Sequence, residues 1–266
     1  MKQTLIQLLP ARLFLFLKGY GWYGDFDTWE DAKKLTGGYE QETILSKVKA
    51  ALLKVQHGEA VYERDSVIFD NIEYSWELLA ALMWVAAQHG GRLNLIDFGG
   101  SLGSAYFQNK KFLDKLTHVS WNIVEQPNYV NVGIESFQNE ILRFYHSISD
   151  CCTDSDRKID VILFSSVLQY LENPFDILKE AFGCGIKYII VDRTGFTANN
   201  KQRITVQKVP AQIYDASYPC RFFSEKDFLK YFEENHYELI TDFDALDKAN
   251  IPSDYKGFFF QRKDYA

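Results

Sequence analysis

Asp97, Gly99, Gly100, Ser101 and Gly103 fall within one short stretch at the end of an apolar run, Leu93 to Phe98. The run reads as a buried parallel strand. The glycines let the backbone turn sharply and approach a ligand where a Cβ would obstruct it. An open α/β sheet presents a nucleotide-like cofactor at such a turn, at the carboxyl ends of its strands. Asp97 adds a charge requirement. A pyrophosphate is a poor neighbour for a carboxylate, whereas a sulfonium and an ammonium group are good ones.

Later strand ends offer matching groups. The run Trp121 to Val124 leads into Glu125, an acid placed to accept both hydroxyls of a ribose, with Gln126 beside it. A third run ends at His146-Ser147-Ile148-Ser149-Asp150, where an adenine edge would be met, and Ser149 is its candidate contact. A fourth, Ile159 to Ser166, passes into Val167-Leu168-Gln169-Tyr170-Leu171. Ser165, Ser166 and Gln169 are expected on the floor of the cofactor pocket, with Tyr170 close to the reacting group. The turn is Gly-Gly-x-x-Gly preceded by Asp97, not the Gly-x-Gly-x-x-Gly that opens a pyrophosphate-binding helix. These features favour S-adenosylmethionine over a dinucleotide.

Such residues need a sheet to hold them. Apolar runs recur at 93–98, 119–124, 142–146, 159–164 and 186–191, with helical stretches between several of them, notably 173–182. This alternation argues for an α/β fold with a Rossmann-like, doubly wound, mostly parallel sheet. A polar excursion at 197–203 precedes an expected short strand at 204–209. Ser224 with Asp227 matches a capping signature for a helix over 228–234, and two strands, about 236–243 and 257–262, close the chain.

Residues 1 to about 90 read as helical. Gly19 to Phe26 reads as a glycine and aromatic loop. Asp27 and Thr28 offer an N-cap to the helix that follows. Ile44, Leu45, Val48, Ala51 and Leu52 form a helical stripe, and a further helix, 74–88, stops at Gly90-Gly91. The expected organisation is an N-terminal helical cap, residues 1–74, and a cofactor-binding domain, residues 75–266.

Composition bounds the function. The chain has 266 residues, 47% of them hydrophobic, which is enough for a sizeable core. Its net charge of −7 argues against a nucleic-acid backbone as partner. Cys151, Cys152, Cys184 and Cys220 have no metal-ligand spacing, and neither have the histidines, so no metal is expected. Reduced thiols in a cytoplasmic protein are the simpler reading. The apolar stretch Leu5 to Leu17 is too short to span a bilayer and lacks a signal-peptide cleavage site. A helix packed on its own domain, a homodimer contact and a peripheral membrane contact all remain open for it.

With Asp97 to Gly103, Glu125 and the Ser165 to Leu171 run, the chain from about residue 75 onward resembles the class I S-adenosylmethionine-dependent methyltransferases. That fold is a seven-stranded sheet closed by an antiparallel hairpin, as the two last strands suggest. A narrower likeness rests on Gly21-Trp22-Tyr23-Gly24, Trp29, Ala32, Gly38-Tyr39, Tyr62-Glu63-Arg64-Asp65 and Ser217-Tyr218-Pro219-Cys220. These look like a family of bacterial methyltransferases associated with surface-polysaccharide and O-antigen gene clusters.

The resemblance implies in-line transfer of a methyl group to an oxygen or nitrogen of a small-molecule or glycan acceptor, with a sugar hydroxyl favoured. Such a hydroxyl needs a base. Asp192, at the end of the fifth run, is the first candidate, with Arg193 orienting the acceptor; Tyr170, Tyr218 and His146 are others. Asp192-Arg193 also reads as an ordinary ion pair at a sheet edge, and the Trp22, Tyr23, Trp29 and Tyr39 cluster as cap packing ahead of a sugar platform. A nicotinamide-dependent oxidoreductase and a non-catalytic scaffold of polysaccharide assembly are the competing readings.

Overall fold

A seven-residue strand with only its first residue exposed, Arg92–Phe98, is the central one of five parallel strands. The computed structural model describes residues 20–37, 41–154, 158–209, 216–245 and 247–263. In chain order the strands are β1 (Gly21–Phe26), β2 (Tyr62–Arg64), β3 (Val67–Phe69), β4 (Arg92–Phe98), β5 (His118–Val124), β6 (Leu142–Tyr145), β7 (Val161–Ser165), β8 (Tyr188–Thr197), β9 (Arg203–Lys208), β10 (Ser217–Phe222), β11 (Tyr237–Asp244) and β12 (Ser253–Arg262). The helices are α1 (Trp29–Lys33), α2 (Gln41–Gln56), α3 (Trp76–Gln88), α4 (Ser104–Leu113), α5 (Pro127–Ser136), α6 (Ile148–Asp154), α7 (Pro174–Gly183) and α8 (Glu225–Glu234).

Seven strands make the central sheet in the order β11-β12-β8-β7-β4-β5-β6. The five from β8 to β6 run parallel, whereas β12 is antiparallel to both β8 and β11. The period-2 alternation of strands divides the core. Leu95, Trp121 and Leu163 pack on one face with α2 and α3, and Ile96, Val124 and Ile162 on the other with α7 and α8. Removing each large apolar side chain from water contributes about 1.5–3 kcal/mol. Helix ends follow their sequence signals: Thr28, Ser75 and Ser224 each accept a backbone N–H of the first turn.

From β4 the chain goes first to β5 on one side, and β7 then pairs on the other side. This is the topological switch point of an open sheet, where a crevice opens above the strand ends. The glycine turn after β4 and the Ser165–Ser166 corner after β7 both border it.

The structure keeps the two helices expected at 42–55 and 74–88, as α2 and α3, and corrects the loop expected over Gly19 to Phe26. Gly21–Phe26 is a strand, antiparallel to β9. With β10 these strands form a separate three-stranded sheet in the order β1-β9-β10. Gly21, at φ 122°, meets the Asn250 side chain so closely that a Cβ would lie 2.7 Å from Oδ1. Glycines within an aromatic run mark this tight approach rather than a loop. Tyr62–Arg64 and Val67–Phe69 form a two-residue hairpin through Asp65 and Ser66, both at positive φ, as such a turn demands. Gly38, Tyr39 and the stretch Leu5 to Leu17 lie outside the described residues.

Candidate functional site

A cavity of about 940 Å³ opens at the switch point, bounded by the ends of β4, β5, β7 and β8, the β2–β3 hairpin and the three-stranded sheet. Its first wall is the turn after β4. Gly99, at φ 72°, passes so close to Val167 that a Cβ would meet Cγ2 at 2.4 Å, and a Cβ on Gly100 would lie 2.4 Å from the Asp97 carboxyl carbon. Both positions therefore require glycine. Ser101 takes a positive φ of 56°, and its N–H donates to Glu125 Oε1 at 3.2 Å. The Gln126 N–H donates to Oε2 of the same carboxylate at 2.8 Å. Glu125 is thus pinned across the crevice by two backbone amides.

Asp97 is 2% exposed. Trp121 Nε1 donates to its Oδ2 at 3.0 Å from the neighbouring strand. Burial pushes the Asp97 carboxyl up to about 7, against the Trp121 hydrogen bond and with a further push from the Glu125 charge. Burial also raises Glu125, and its two amide donors partly offset this.

On the opposite side β8 carries a bulge. Val191 pairs with Phe258 and Thr194 with Lys256, so Asp192 and Arg193 together face Gly257. Bulges of this kind re-aim side chains. Arg193 adopts φ 52°, and both residues line the cavity. Asp192 Oδ2 accepts from Ser165 Oγ at 3.0 Å, while its Oδ1 is buried with no partner. Burial pushes this carboxyl up to about 6, partly offset by Arg193 and Ser165. The Asp192–Arg193 ion pair considered from sequence is not the one observed. Arg193 instead donates from Nε and NH2 to the two oxygens of Asp247, at 2.6 and 3.1 Å.

The structure brings Asp97, Gly99, Gly100, Ser101, Glu125, Gln126, Ser165, Ser166, Tyr170, Asp192 and Arg193 onto one cavity, and leaves Gly103, Ser149 and Gln169 off its wall. Gly103 is the N-cap of α4 at φ 109°, where a Cβ would press on Leu142 at 3.2 Å. Ser149 begins the exposed side of α6, and its N–H donates to Glu180. Gln169 is fully buried, and its amide donates to Ser166 Oγ and the Arg193 carbonyl. Tyr170 crosses Tyr218 edge to face at 5.2 Å, and burial holds its phenol well above the ordinary range.

Two site residues escape the sequence reading. Glu63, on β2, is 1% exposed and accepts from Ser104 Oγ with both oxygens, at 3.2 and 3.0 Å. Burial pushes it up to about 7, with the Ser104 bond opposing. Its sequence signal is the polar Arg64-Asp65-Ser66 turn between two β-prone flanks. Asp247 has no local signal at all. Among the described residues lining the cavity, acidic side chains outnumber Lys and Arg by seven to three. No group of metal-ligating side chains occurs among the described residues, and no helix among them is long and apolar enough to cross a membrane.

Neither a protein-family model nor a curated protein sequence matches this chain. Solved structures do match it. A point variant of LepI, in complex with SAH and a substrate analogue, aligns with a TM-score of 0.53 at 10% identity, over 97% of this chain and 64% of that one. Burkholderia thailandensis 1,6-didemethyltoxoflavin-N1-methyltransferase, with its toxoflavin ligand and S-adenosylhomocysteine, aligns at 0.43 with 13% identity, over 85% and 92% of the two chains. Magnesium protoporphyrin IX methyltransferase from Synechocystis PCC 6803, with bound SAM, aligns at 0.45 with 11% identity, over 71% and 79%. At such identities the likeness concerns the fold: an α/β architecture with a mostly parallel, seven-stranded, Rossmann-like sheet.

Proposed function

We propose that the chain is an S-adenosylmethionine-dependent methyltransferase of the cytoplasm, acting on a hydroxyl of a small-molecule or glycan acceptor, with a sugar in surface-polysaccharide assembly as the favoured class. The cofactor reading is carried by one observation: Glu125 is pinned beside a turn that admits no Cβ, one strand from Asp97. The donor set suits this cofactor. Asp97 and Glu63 are buried acids without a basic partner in hydrogen-bond contact, and either would gain from an ammonium group. Glu125 accepts ribose hydroxyls. The surplus of carboxylates favours a sulfonium and opposes a pyrophosphate, which counts against the dinucleotide alternative.

Bound in this crevice, S-adenosylmethionine supplies a methyl carbon already activated by its sulfonium charge. The chain contributes alignment, exclusion of water and a base. Asp192 takes the acceptor proton, while Ser165 Oγ holds its Oδ2. A carboxyl raised to about 6 remains ionised at neutral pH and is a stronger base than an ordinary aspartate. Arg193 fixes the corner through Asp247, and the protonated Tyr170 phenol donates to the acceptor. The sugar assignment draws on the likeness of the Gly21–Gly24, Tyr62–Asp65 and Ser217–Cys220 motifs.

Calorimetry with S-adenosylmethionine and S-adenosylhomocysteine on wild type, Asp97→Ala and Glu125→Ala tests the reading. Saturable binding to wild type, weakened about tenfold or more in both variants, is expected from the loss of charge-assisted contacts. Absence of binding to the folded wild type overturns the proposal.

A further inference from the structure

One wall of the cavity is built from residues the cofactor does not need. Across the three-stranded sheet Trp22 on β1 pairs with Gln207 on β9, and Gln207 pairs with Tyr218 on β10. Directly opposed residues share a face, so these three side chains stand in a row, and all three line the cavity. Tyr255 of β12 joins them, its ring 6.1 Å from that of Trp22. Tyr170 closes the other end through its edge-to-face contact with Tyr218. The row is anchored by Asn250, whose side chain accepts from the Trp22 N–H at 2.7 Å and donates to its carbonyl at 3.1 Å.

Two polar atoms on this wall are buried without a hydrogen-bond partner: Gln207 Oε1 and the Tyr255 hydroxyl. The Trp22 indole N–H faces the Cys220 thiol, and Tyr255 is 6% exposed. Folded proteins rarely bury a polar atom unpaired. Two on one cavity wall point to a ligand that brings the partners. One is an acceptor and the other can donate or accept; a hydroxyl group answers both of them. The aromatic rings between them offer apolar surface to the body of a ring. Arg193, one of the cations on the cavity, is already neutralised by Asp247.

We infer that the Trp22–Gln207–Tyr218 row with Tyr255 is the acceptor subsite, and that it takes an uncharged ring bearing several hydroxyl groups, the chemistry of a sugar ring. The inference rests on the methyl-transfer reading for its role opposite Asp192. Saturation-transfer NMR with the methyl pyranosides of glucose, galactose and mannose tests it, with cyclohexanol and benzoate as a one-hydroxyl ring and an anionic ring. The samples contain S-adenosylhomocysteine, and its binding is measured separately by calorimetry. At least one glycoside is expected to bind better than both controls. Gln207→Leu and Tyr255→Phe should each weaken it about 3–10-fold through a lost hydrogen bond, with S-adenosylhomocysteine affinity unchanged. Tyr255→Phe removes one hydroxyl only and so preserves the packing. Glycosides that fail, controls that bind equally well, or unaffected variants overturn the subsite while intact S-adenosylhomocysteine binding leaves the cofactor reading standing. Loss of S-adenosylhomocysteine binding to wild type overturns that reading instead.

Discussion

Arg193 gives two N–H groups to a single carboxylate, Asp247, 54 positions further along the chain. Burial works to raise Asp247, but the Arg193 hydrogen bonds and charge outweigh it and hold its carboxyl below the usual range. The pair fixes a residue at positive φ in a β-bulge beside the proposed base. Asp247→Ala is therefore expected to cost about 1–3 kcal/mol in urea denaturation, since it leaves a partly buried cation unpaired. It should also lower kcat at least tenfold with little change in cofactor affinity. An unchanged kcat would detach Asp247 from the site.

The glycine turn makes a sharper prediction. Gly100 has an ordinary backbone conformation, and its requirement is purely one of space: a Cβ would stand 2.5 Å from Asp97 Oδ2. Gly100→Ala must push the carboxylate off its bond with Trp121. Binding of S-adenosylmethionine should fall by about tenfold or more, with a stability loss of about 1–3 kcal/mol typical of overpacking. Calorimetry and thermal denaturation read the two effects separately. Wild-type affinity in this variant would show that Asp97 does not contact the cofactor.

The parallel strands and the turn after β4 are legible in the sequence because their signals are local: continuous apolar runs, an acid, and glycines at fixed offsets. The strand at Gly21–Phe26 is not, because its partner β9 lies some 180 residues away and its glycines mimic a loop. The position of Gln169 after β7 suggests a cofactor contact. Its side chain turns inward instead, because Ser166 and Arg193 both adopt positive φ and present groups for it to bind. Asp247 is invisible for a related reason. Its role exists only once the β11–β12 connection folds back over β8.

Three buried acids give the free protein an unusual pH dependence. Asp97 and Glu63 are raised to about 7 and Asp192 to about 6, each mainly by burial. Between roughly pH 4 and 7 the folded chain therefore holds more protons than the unfolded chain. Its stability falls as pH rises through that window and levels off above it. Urea denaturation at pH 5.5 and 8 should show the drop, and Asp97→Asn should reduce it. A cationic cofactor favours the ionised acids, so S-adenosylmethionine should raise Tm more at pH 8 than at pH 5.5. A free protein that is more stable at pH 8 would contradict the assignment.

Gln169 separates holding a corner from touching a ligand. Its Nε2 spans Ser166 Oγ at 3.3 Å and the Arg193 carbonyl at 3.1 Å, while its Oε1 is buried without a partner. Gln169→Met removes the two donor bonds and the unpaired oxygen together at similar volume. The gain from deleting the orphan offsets much of the loss, so the net cost should be about 1 kcal/mol or less. Gln169→Glu keeps the shape but replaces the donors with acceptors facing two oxygens, and should cost about 3 kcal/mol or more. Both variants release the positive-φ residues that aim Asp192 and Ser165. kcat should therefore fall in the well-folded methionine variant while S-adenosylmethionine affinity stays near wild type. A selective loss of cofactor affinity with kcat retained would return Gln169 to the ligand-contacting role its position first suggested.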